Sequence, residues 1–385
     1  MKPLSRIAID MPGSGIREIV HIALTMPEVI RLEVGEPNFP TPKHIVEAAH
    51  DAAMEGFTKY GPSAGLYSLR DLLVERIKRV NGYSVTRDQL VISVGGVQGI
   101  LAALSAILDP GDEVLIPDPA WPNYEMAILL HNAVPVHYPL YMENGFVPRP
   151  EDIESLITER TKLLIINSPS NPTGAVFPRE TIEGLVALAQ RHDLYLMSDE
   201  VYDELIFEGE HVSPATLDPE RTISVYAFSK NYAMTGWRCG YVAVNSDIAQ
   251  LMMKIQEPMI SCVASPIQKA AEAALTGPQD CIREMRDSYR ERRDAVVELL
   301  KEEGYYVYTP RGAFYIMVDI SDSGLDSRNF ALKLLHEAKV AVAPGTAFGN
   351  LGSHFVRISM ATEKRQLLEG LHRLCELVRS EAMRR

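Results

Sequence analysis

Short apolar runs alternate with helical patterns through the middle of the chain. Seven runs lack the strict alternation of polar and apolar positions that a half-exposed strand shows, at residues 89–94, 113–117, 134–138, 162–167, 194–198, 222–228 and 239–244. Such runs are typical of strands buried on both faces of a sheet. Helical patterns at 97–108, 121–130 and 179–191 lie between them. The alternation predicts an α/β fold with a mainly parallel, seven-stranded sheet and helices on both faces.

The pattern changes after Pro278. Residues 279–303 form one long, charged and periodic segment, which predicts a single helix that ends at Gly304. Shorter strand and helix patterns follow, and they predict a smaller α+β domain at residues 281–385 after a large, ligand-binding domain at 41–280. The first 40 residues are rich in proline, and we expect them to form an arm that packs with the small domain.

Composition and charge exclude several classes of partner. Apolar residues make up 46% of the 385 positions and charged residues 23%, which is typical of a globular protein with a large core. The net charge of −13 repels phosphate backbones and anionic lipids, so we expect neither nucleic acid nor a membrane as a partner. The most apolar stretch, residues 99–108, has about half of the ~20 residues that a membrane span needs.

The cysteines indicate a reducing compartment. The four are widely spaced and form neither a disulfide framework nor a metal-ligand pattern: Cys239, Cys262, Cys281 and Cys375. We therefore expect no metal site. The N-terminus also lacks the pattern of a secretory signal, so the sequence predicts a cytoplasmic protein.

Residues that follow the predicted strands are candidates for a binding site, because ligands of open parallel sheets bind beyond the carboxyl ends of the strands. Gly95, Gly96 and Val97 come between the first run and a helix, where backbone N–H groups suit a phosphate. Glycines at such a turn can equally serve geometry alone. Trp121 follows the second run, where its ring could stack on a flat aromatic ligand or pack in the core.

Polar side chains follow the next two buried runs. Asn171 lies in a loop made rigid by two prolines, and its amide could meet an oxyanion or simply form a turn. Asp199 ends the fifth run, and Tyr202 comes three residues later. A carboxylate at the end of a buried strand is costly unless it faces a cation or a proton-bearing ligand atom. The alternative is that Asp199 caps a helix.

A lysine follows the sixth run. Burial and the nearby Arg238 would lower the pKa of Lys230 and make its amine nucleophilic, although a single loop lysine could also be solvated. Taken together, the strand ends offer a phosphate site, a flat ring, an amide, an acid, a phenol and an amine. One ligand fits this set, a phosphorylated aromatic aldehyde that needs an acid: pyridoxal 5′-phosphate.

Three motifs in order carry a resemblance to a known family: residues 170–174 (Ser-Asn-Pro-Thr-Gly), 198–202 (Ser-Asp-Glu-Val-Tyr), and Ser229-Lys230 followed by 236–241 (Gly-Trp-Arg-Cys-Gly-Tyr). The chain resembles the fold-type I aminotransferases of class I and II, the group that contains aspartate aminotransferase. The likeness runs from Gly35 to the 355–359 segment (Phe-Val-Arg-Ile-Ser), which is nearly the whole chain.

The resemblance implies a role for each residue at the cofactor ring. Lys230 would form the Schiff base with pyridoxal 5′-phosphate and carry a proton to and from the substrate. Asp199 would pair with the ring nitrogen, which makes the ring an electron sink. Asn171 and Tyr202 would hydrogen-bond the ring oxygen, and Trp121 would stack on the ring.

The resemblance also implies how the phosphate is held. Ser229, Arg238 and the backbone at Gly96 and Val97 would bind it within one chain. Tyr60 would reach the phosphate of a neighbouring subunit, so a homodimer with shared active sites is implied.

Substrate binding follows from the same resemblance. Arg357 would pair with the α-carboxylate of the substrate, although most arginines end in surface ion pairs. Trp121 and Asn171 would also line the substrate site, and Gly35 would let the arm close over it. Side-chain discrimination is expected near residues 14–16, Tyr67, and the turns at 312–314 and 347–348. The motifs place no second arginine against a side-chain carboxylate, so the amino donor stays open.

Three functions are weighed. The leading one is a ping-pong aminotransferase that moves an amino group between an L-amino acid and a 2-oxo acid. The second is a carbon–sulfur lyase or an aminocyclopropane-carboxylate-synthase-like enzyme with the same cofactor site. The third is a regulatory binding module, which the net charge of −13 disfavours because such a protein would carry a basic DNA-binding segment.

Overall fold

The computed structural model describes residues 1–384. Its strands are β1 (Ile30–Arg31), β2 (Leu90–Ser93), β3 (Glu113–Asp118), β4 (Val134–Pro139), β5 (Thr161–Asn167), β6 (Tyr195–Asp199), β7 (Thr222–Ala227), β8 (Gly240–Ala243), β9 (Tyr315–Asp319), β10 (Val340–Ala341), β11 (Ala343–Pro344) and β12 (Phe355–Ser359).

The α-helices separate and flank these strands. They are α1 (Arg6–Asp10), α2 (Gly15–Leu24), α3 (Lys43–Met54), α4 (Tyr67–Arg76), α5 (Gly95–Ile107), α6 (Asn123–Leu130), α7 (Pro150–Glu154), α8 (Arg179–Arg191), α9 (Phe228–Asn231), α10 (Ser246–Ile260), α11 (Ser265–Thr276), α12 (Asp280–Glu303), α13 (Ser327–Ala338) and α14 (Lys364–Met383). None of these described helices is long and apolar enough to cross a membrane.

Seven strands form one sheet in the order β2-β8-β7-β6-β5-β3-β4. The pairs β7-β6, β6-β5, β5-β3 and β3-β4 are parallel, whereas β8 runs antiparallel to both of its neighbours. The predicted mainly parallel, seven-stranded sheet is therefore confirmed. Strand β4, one edge of the sheet, departs from full burial, whereas β2 at the other edge is buried throughout.

The core lies on both faces of this sheet. Side chains of β5 alternate between the two faces: Ile165 packs in the cluster that includes α5, α6 and α10, and Ile166 packs in the cluster that includes α8. This two-sided burial explains why the strands are apolar at nearly every position.

Two local boundaries differ from the sequence patterns. Strand β7 stops at Ala227, and Phe228 begins α9, so Lys230 lies in a four-residue helix rather than in a loop. Helix α5 begins at Gly95, so the two glycines form its first turn. No helix begins at Asp199, whose Oδ1 instead accepts a 3.3 Å hydrogen bond from the backbone of Val201, so the helix-cap alternative is wrong.

A second, smaller assembly lies at the carboxyl edge of the large sheet. Strands β11, β12 and β9 form an antiparallel sheet, covered by α13 and α14. Strand β1, from the N-terminal segment, pairs in parallel with β10 through Ile30 and Val340. This pairing brings the segment around Gly35 close to the ends of the large-sheet strands.

Candidate active site

A cavity of about 590 Å³ lies where the carboxyl ends of the large sheet meet the small sheet and the N-terminal segment. The residues that the sequence assigned to the cofactor and to the substrate carboxylate line it, except Tyr60: Gly35, Gly96, Val97, Trp121, Asn171, Asp199, Tyr202, Ser229, Lys230, Arg238 and Arg357. Of the places where side-chain discrimination was expected, Ser14 and Ile16 line the cavity, whereas Tyr67 and the turns at 312–314 and 347–348 do not. Arg17, Tyr124, Asn167 and Tyr315 also line it.

Lys230 is the buried amine of the cavity. Its Nζ donates a 2.6 Å hydrogen bond to the backbone oxygen of Gly35 and lies 5.9 Å from the centre of the Tyr202 ring. Burial, together with the guanidinium groups of Arg357 and Arg238 and against the opposing charge of Glu36, lowers the pKa of the Lys230 amine to about 8. A neutral, nucleophilic amine is therefore accessible near neutral pH.

Asp199 is the buried acid of the cavity. Its Oδ2 accepts a 2.5 Å hydrogen bond from the hydroxyl of Tyr124. Burial raises the pKa of the Asp199 carboxyl to about 6, and the hydrogen bond from Tyr124 partly opposes that rise. A positively charged ligand atom next to this carboxyl would stabilise its ionised form.

An anion site forms where α5 begins. Gly95 has a φ of 70°, and a Cβ there would lie 2.5 Å from Nη2 of Arg238, so only glycine lets this guanidinium lie against the turn. Nη1 of Arg238 donates to the backbone oxygen of Thr235 at 2.8 Å. Gly96 and Val97 are in the first turn of α5, whose N–H groups and positive dipole end favour an anion, and Ser229 lines the same cavity.

Two tyrosines, Tyr202 and Tyr315, line the cavity near Lys230. The hydroxyls of Tyr202 and Tyr315 lie 2.9 Å apart, and both side chains are buried. A Cβ at Gly35 would overlap the hydroxyl of Tyr315, so the close approach of the N-terminal segment requires glycine at this position. Burial raises the pKa of Tyr315 and of Tyr202, which keeps both phenols protonated as hydrogen-bond donors.

Arg357 extends from β12 into the cavity and is buried. Its Nη1 donates to Oδ1 of Asn171 at 3.0 Å and its Nη2 donates to the backbone oxygen of Glu33. Its Nε is buried and has no partner among the described residues. The guanidinium carbon lies 4.6 Å from the centre of the Tyr315 ring. The alternative of a surface ion pair is therefore wrong, and the geometry suits a carboxylate ligand.

Three aromatic residues that the sequence singled out occupy different environments. Trp121 is half-buried on the cavity wall and packs edge-to-face on Tyr124, with ring centres 5.4 Å apart. Tyr67 does not line the cavity, and its ring instead lies between the guanidinium groups of Arg70 and Arg87 at 5.2 and 5.3 Å. Tyr60 also lies outside the cavity, with 90% of its surface exposed.

The sequence patterns missed three residues of the site. Tyr124 lies in α6 and Tyr315 starts β9, and both occupy positions where an apolar core residue was equally expected. Arg17 lies on an exposed face of α2, and the sequence alone cannot distinguish an arginine at a site from one that faces solvent. Only the tertiary fold brings these three side chains to the strand ends.

Comparisons with known proteins bear on the whole chain. A family model described as aminotransferase class I and II matches residues 27–374. An aspartate aminotransferase of Pyrococcus abyssi is 43% identical over 376 residues, which cover 96% of this chain and 97% of the relative. An aspartate/prephenate aminotransferase of Thermus thermophilus is 40% identical over 98% of this chain and 97% of the relative.

Solved structures show the same likeness. The aspartate aminotransferase of Thermus thermophilus with maleate has a TM-score of 0.94 and 40% identity, and the match covers 98% of this chain and all of that one. An aromatic aminotransferase from Pyrococcus horikoshii has a TM-score of 0.90 and 41% identity, over 95% of this chain and 99% of that one. The fold of this chain is therefore that of these enzymes.

Proposed function

This chain belongs to the class I and II aminotransferase family, and we propose that it moves amino groups between an L-amino acid and a 2-oxo acid with pyridoxal 5′-phosphate attached at Lys230. The transferase activity itself follows from the family and from full-length relatives. The relatives reported above are all aminotransferases, and none supports the carbon–sulfur lyase alternative.

One observation carries the cofactor proposal: a buried amine and a buried acid, Lys230 and Asp199, line the same cavity with pKa values of about 8 and about 6. The rest of the donor set fits the remaining parts of the molecule. The start of α5 with Arg238 fits the phosphate. The hydroxyl of Tyr202 and the amide of Asn171 fit the ring oxygen, and the Trp121 ring fits the flat face.

When bound, the cofactor supplies an electron-withdrawing ring that stabilises the charge left after the substrate loses its Cα proton. Asp199 contributes an ionised carboxylate that keeps a proton on the ring nitrogen. Lys230 would take and return the Cα proton at Nζ, since its lowered pKa makes both protonation states available. Arg357 holds the substrate by its α-carboxylate and thereby orients the Cα–H bond.

The amino donor is proposed to be a dicarboxylic amino acid. Three cations of the cavity have other tasks in the proposal, namely Lys230, Arg238 and Arg357. The fourth, Arg17, also lines the cavity, and no acidic side chain of residues 1–384 pairs with it. The neighbouring Glu18 does not pair with Arg17. Its carboxylate accepts hydrogen bonds of 2.5 and 3.0 Å from Arg328 and so connects α2 to α13. Relatives named for aspartate support the same substrate class.

We also propose a homodimer in the cytoplasm. Tyr60 lies on the surface of its own chain, where it is available to a partner's phosphate site, so a dimer would complete each cavity. The four cysteines of the described chain are free, which supports a reducing compartment.

A half-reaction experiment tests the function. The cofactor-loaded protein is mixed with aspartate alone, and the 2-oxo acid released and the cofactor absorbance are followed. An aminotransferase stops after one equivalent per subunit and resumes when 2-oxoglutarate is added. Continued release of an oxo acid and ammonia without an acceptor would contradict the proposal and favour a lyase.

A further inference from the structure

Side chains at the end of β6 and just after it point in two directions. Asp199 and Tyr202 line the cavity, whereas Asp203 points away from it into the interior, where it is buried. The Asp203 carboxylate belongs to a set of polar side chains that lies behind the cavity wall. We call this set the Asp203 cluster: Arg76, Asn81, Asp203, Glu204 and Asn231.

Arg76 is the buried cation of the Asp203 cluster. Its Nη2 donates to both oxygens of Asp203, at 3.0 and 3.2 Å, and to Glu204 at 2.8 Å. Its Nη1 donates to Oδ1 of Asn81 at 3.1 Å and to the hydroxyl of Tyr241 at 2.9 Å. A buried ion pair with this many hydrogen bonds has one preferred geometry, because each charged group is held from several directions at once.

Two amides bind the same carboxylate from different sides. Nδ2 of Asn231 donates to Oδ1 of Asp203 at 2.7 Å, and Nδ2 of Asn81 donates to Oδ2 at 3.0 Å. Asn231 has one further hydrogen bond, a long one of 3.4 Å to Glu204, and its own Oδ1 has no partner among the described residues. Its side chain is therefore tied to the Asp203 cluster and to nothing else in the described chain.

Asn231 is the residue after Lys230, and both lie in the four-residue helix α9. A helix of one turn has too few backbone hydrogen bonds to hold its own orientation. An outside contact must therefore fix the direction in which Lys230 points, and the hydrogen bond from Asn231 to Asp203 is such a contact.

We propose that Asp203, held by Arg76, is a positioning residue that aims the amine of Lys230 into the cavity through Asn231. Asp203 does not line the cavity. Because it directly follows Tyr202, which does, its contact with Asn231 fixes the position of Lys230 relative to Tyr202. The inference rests on the proposed function in one respect, namely that Lys230 is the attachment point of the cofactor.

A matched pair of variants tests the proposal. Asn231→Ala and Asn81→Ala each remove one amide hydrogen bond to the same carboxylate, at positions that are 2% and 5% exposed. Asn81→Ala also removes the hydrogen bond from Arg76, and Asn231→Ala the long one to Glu204, so the control is the more disruptive of the two for the ion pair. Asn81 ends the π-helical turn Ile77–Asn81, and none of the residues in that turn lines the cavity. Both variants should lower the melting temperature, because each leaves a buried carboxylate less well satisfied.

The readouts are the affinity of the apoprotein for pyridoxal 5′-phosphate and the pH midpoint of the bound cofactor's absorbance. Asn231→Ala should weaken the affinity about tenfold and shift the midpoint, whereas Asn81→Ala should change neither. Equal effects of the two variants, or wild-type values for Asn231→Ala, would overturn the proposal. If the alanine variant does not fold, Asn231→Ser is judged by the same readouts. A wild-type protein that binds no cofactor would instead contradict the proposed function.

Discussion

The hydroxyl of Tyr124 donates a 2.5 Å hydrogen bond to Oδ2 of Asp199, and both side chains are buried. The bond joins α6 to the end of β6, at residues 75 positions apart in the chain. It favours the ionised carboxylate in a place where burial favours the neutral acid. Tyr124 therefore helps to maintain the charge that the proposed mechanism needs.

Replacing Tyr124 should shift the acid side of the pH profile. Tyr124→Phe removes a hydrogen bond that favours the ionised Asp199 carboxylate, so in the cofactor-free protein the pKa of Asp199 should rise above the value of about 6, and in the loaded enzyme it should rise as well. The acid limb of kcat/KM should move to higher pH by about one unit, since a hydrogen bond to a charged group contributes roughly 1.5–3 kcal/mol. An unchanged acid limb would show that Asp199 is kept ionised by other groups.

Asp199 should also lower the stability of the cofactor-free protein. Its folded pKa of about 6 lies above the ordinary value of 3.8, so the folded state prefers the neutral acid. The resulting cost is absent below pH 3.8, grows as the pH rises, and is complete above pH 6, where it reaches about 3 kcal/mol.

Asp199→Asn should remove that cost. The cofactor-free variant should be more stable than wild type at pH 8 by up to about 3 kcal/mol, and this gain should fall by about half at pH 5. Urea unfolding at the two pH values measures the difference. Activity of the loaded variant should fall roughly 100-fold or more, because the amide cannot hold the proton on the ring nitrogen. A gain that is the same at both pH values would point to packing rather than charge.

Arg17 should determine the preference for a second carboxylate. Arg17→Ala should raise KM for aspartate and glutamate about tenfold and leave KM for alanine and phenylalanine unchanged. Arg17→Lys should keep part of the preference, since it keeps the charge but not the bidentate geometry. Loosening α2 by Glu18→Ala, which removes its ion pair with Arg328, should instead affect all substrates alike. Equal losses for acidic and neutral substrates in Arg17→Ala would contradict the assignment.

Tyr60 should act across subunits. Tyr60→Phe should bind pyridoxal 5′-phosphate more weakly, by about tenfold, because one hydrogen bond to the phosphate is lost. Heterodimers of Tyr60→Phe and Lys230→Ala chains should recover part of the activity if each site takes Lys230 from one chain and Tyr60 from the other. Verified heterodimers without recovery would exclude shared sites.

The strands of the large sheet and the residues at their ends could be predicted from the sequence, because burial on both faces makes these strands apolar at nearly every position. A polar residue at the end of such a run, such as Asp199, is then a candidate site residue, because burying it is costly without a partner. The same reasoning could not select Tyr124 or Tyr315, since a buried tyrosine in a helix or a strand is equally consistent with ordinary core packing. Their hydrogen bonds, to Asp199 and Tyr202, join residues 75 and 113 positions apart.

Arg17 and the Asp203 cluster were missed for different reasons. Arg17 lies on an exposed helix face, and only the parallel pairing of β1 with β10 brings the N-terminal segment to the cavity. Asp203 and Asn231 each follow a residue of the site, and their contact depends on how α9 turns relative to the end of β6. Neither the position of Arg17 at the cavity nor the contact between Asp203 and Asn231 produces a hydrophobic pattern that the sequence would show.

The proposed chemistry depends on the amine of Lys230, and borohydride reduction tests its role directly. The protein loaded with pyridoxal 5′-phosphate is reduced, digested and mapped by mass spectrometry, with Lys230→Ala treated in parallel. We predict that the label is found on the peptide containing Lys230 in wild type and that no stable label forms in the variant. A label on another lysine, or equal labelling of the Lys230→Ala protein, would contradict the assignment.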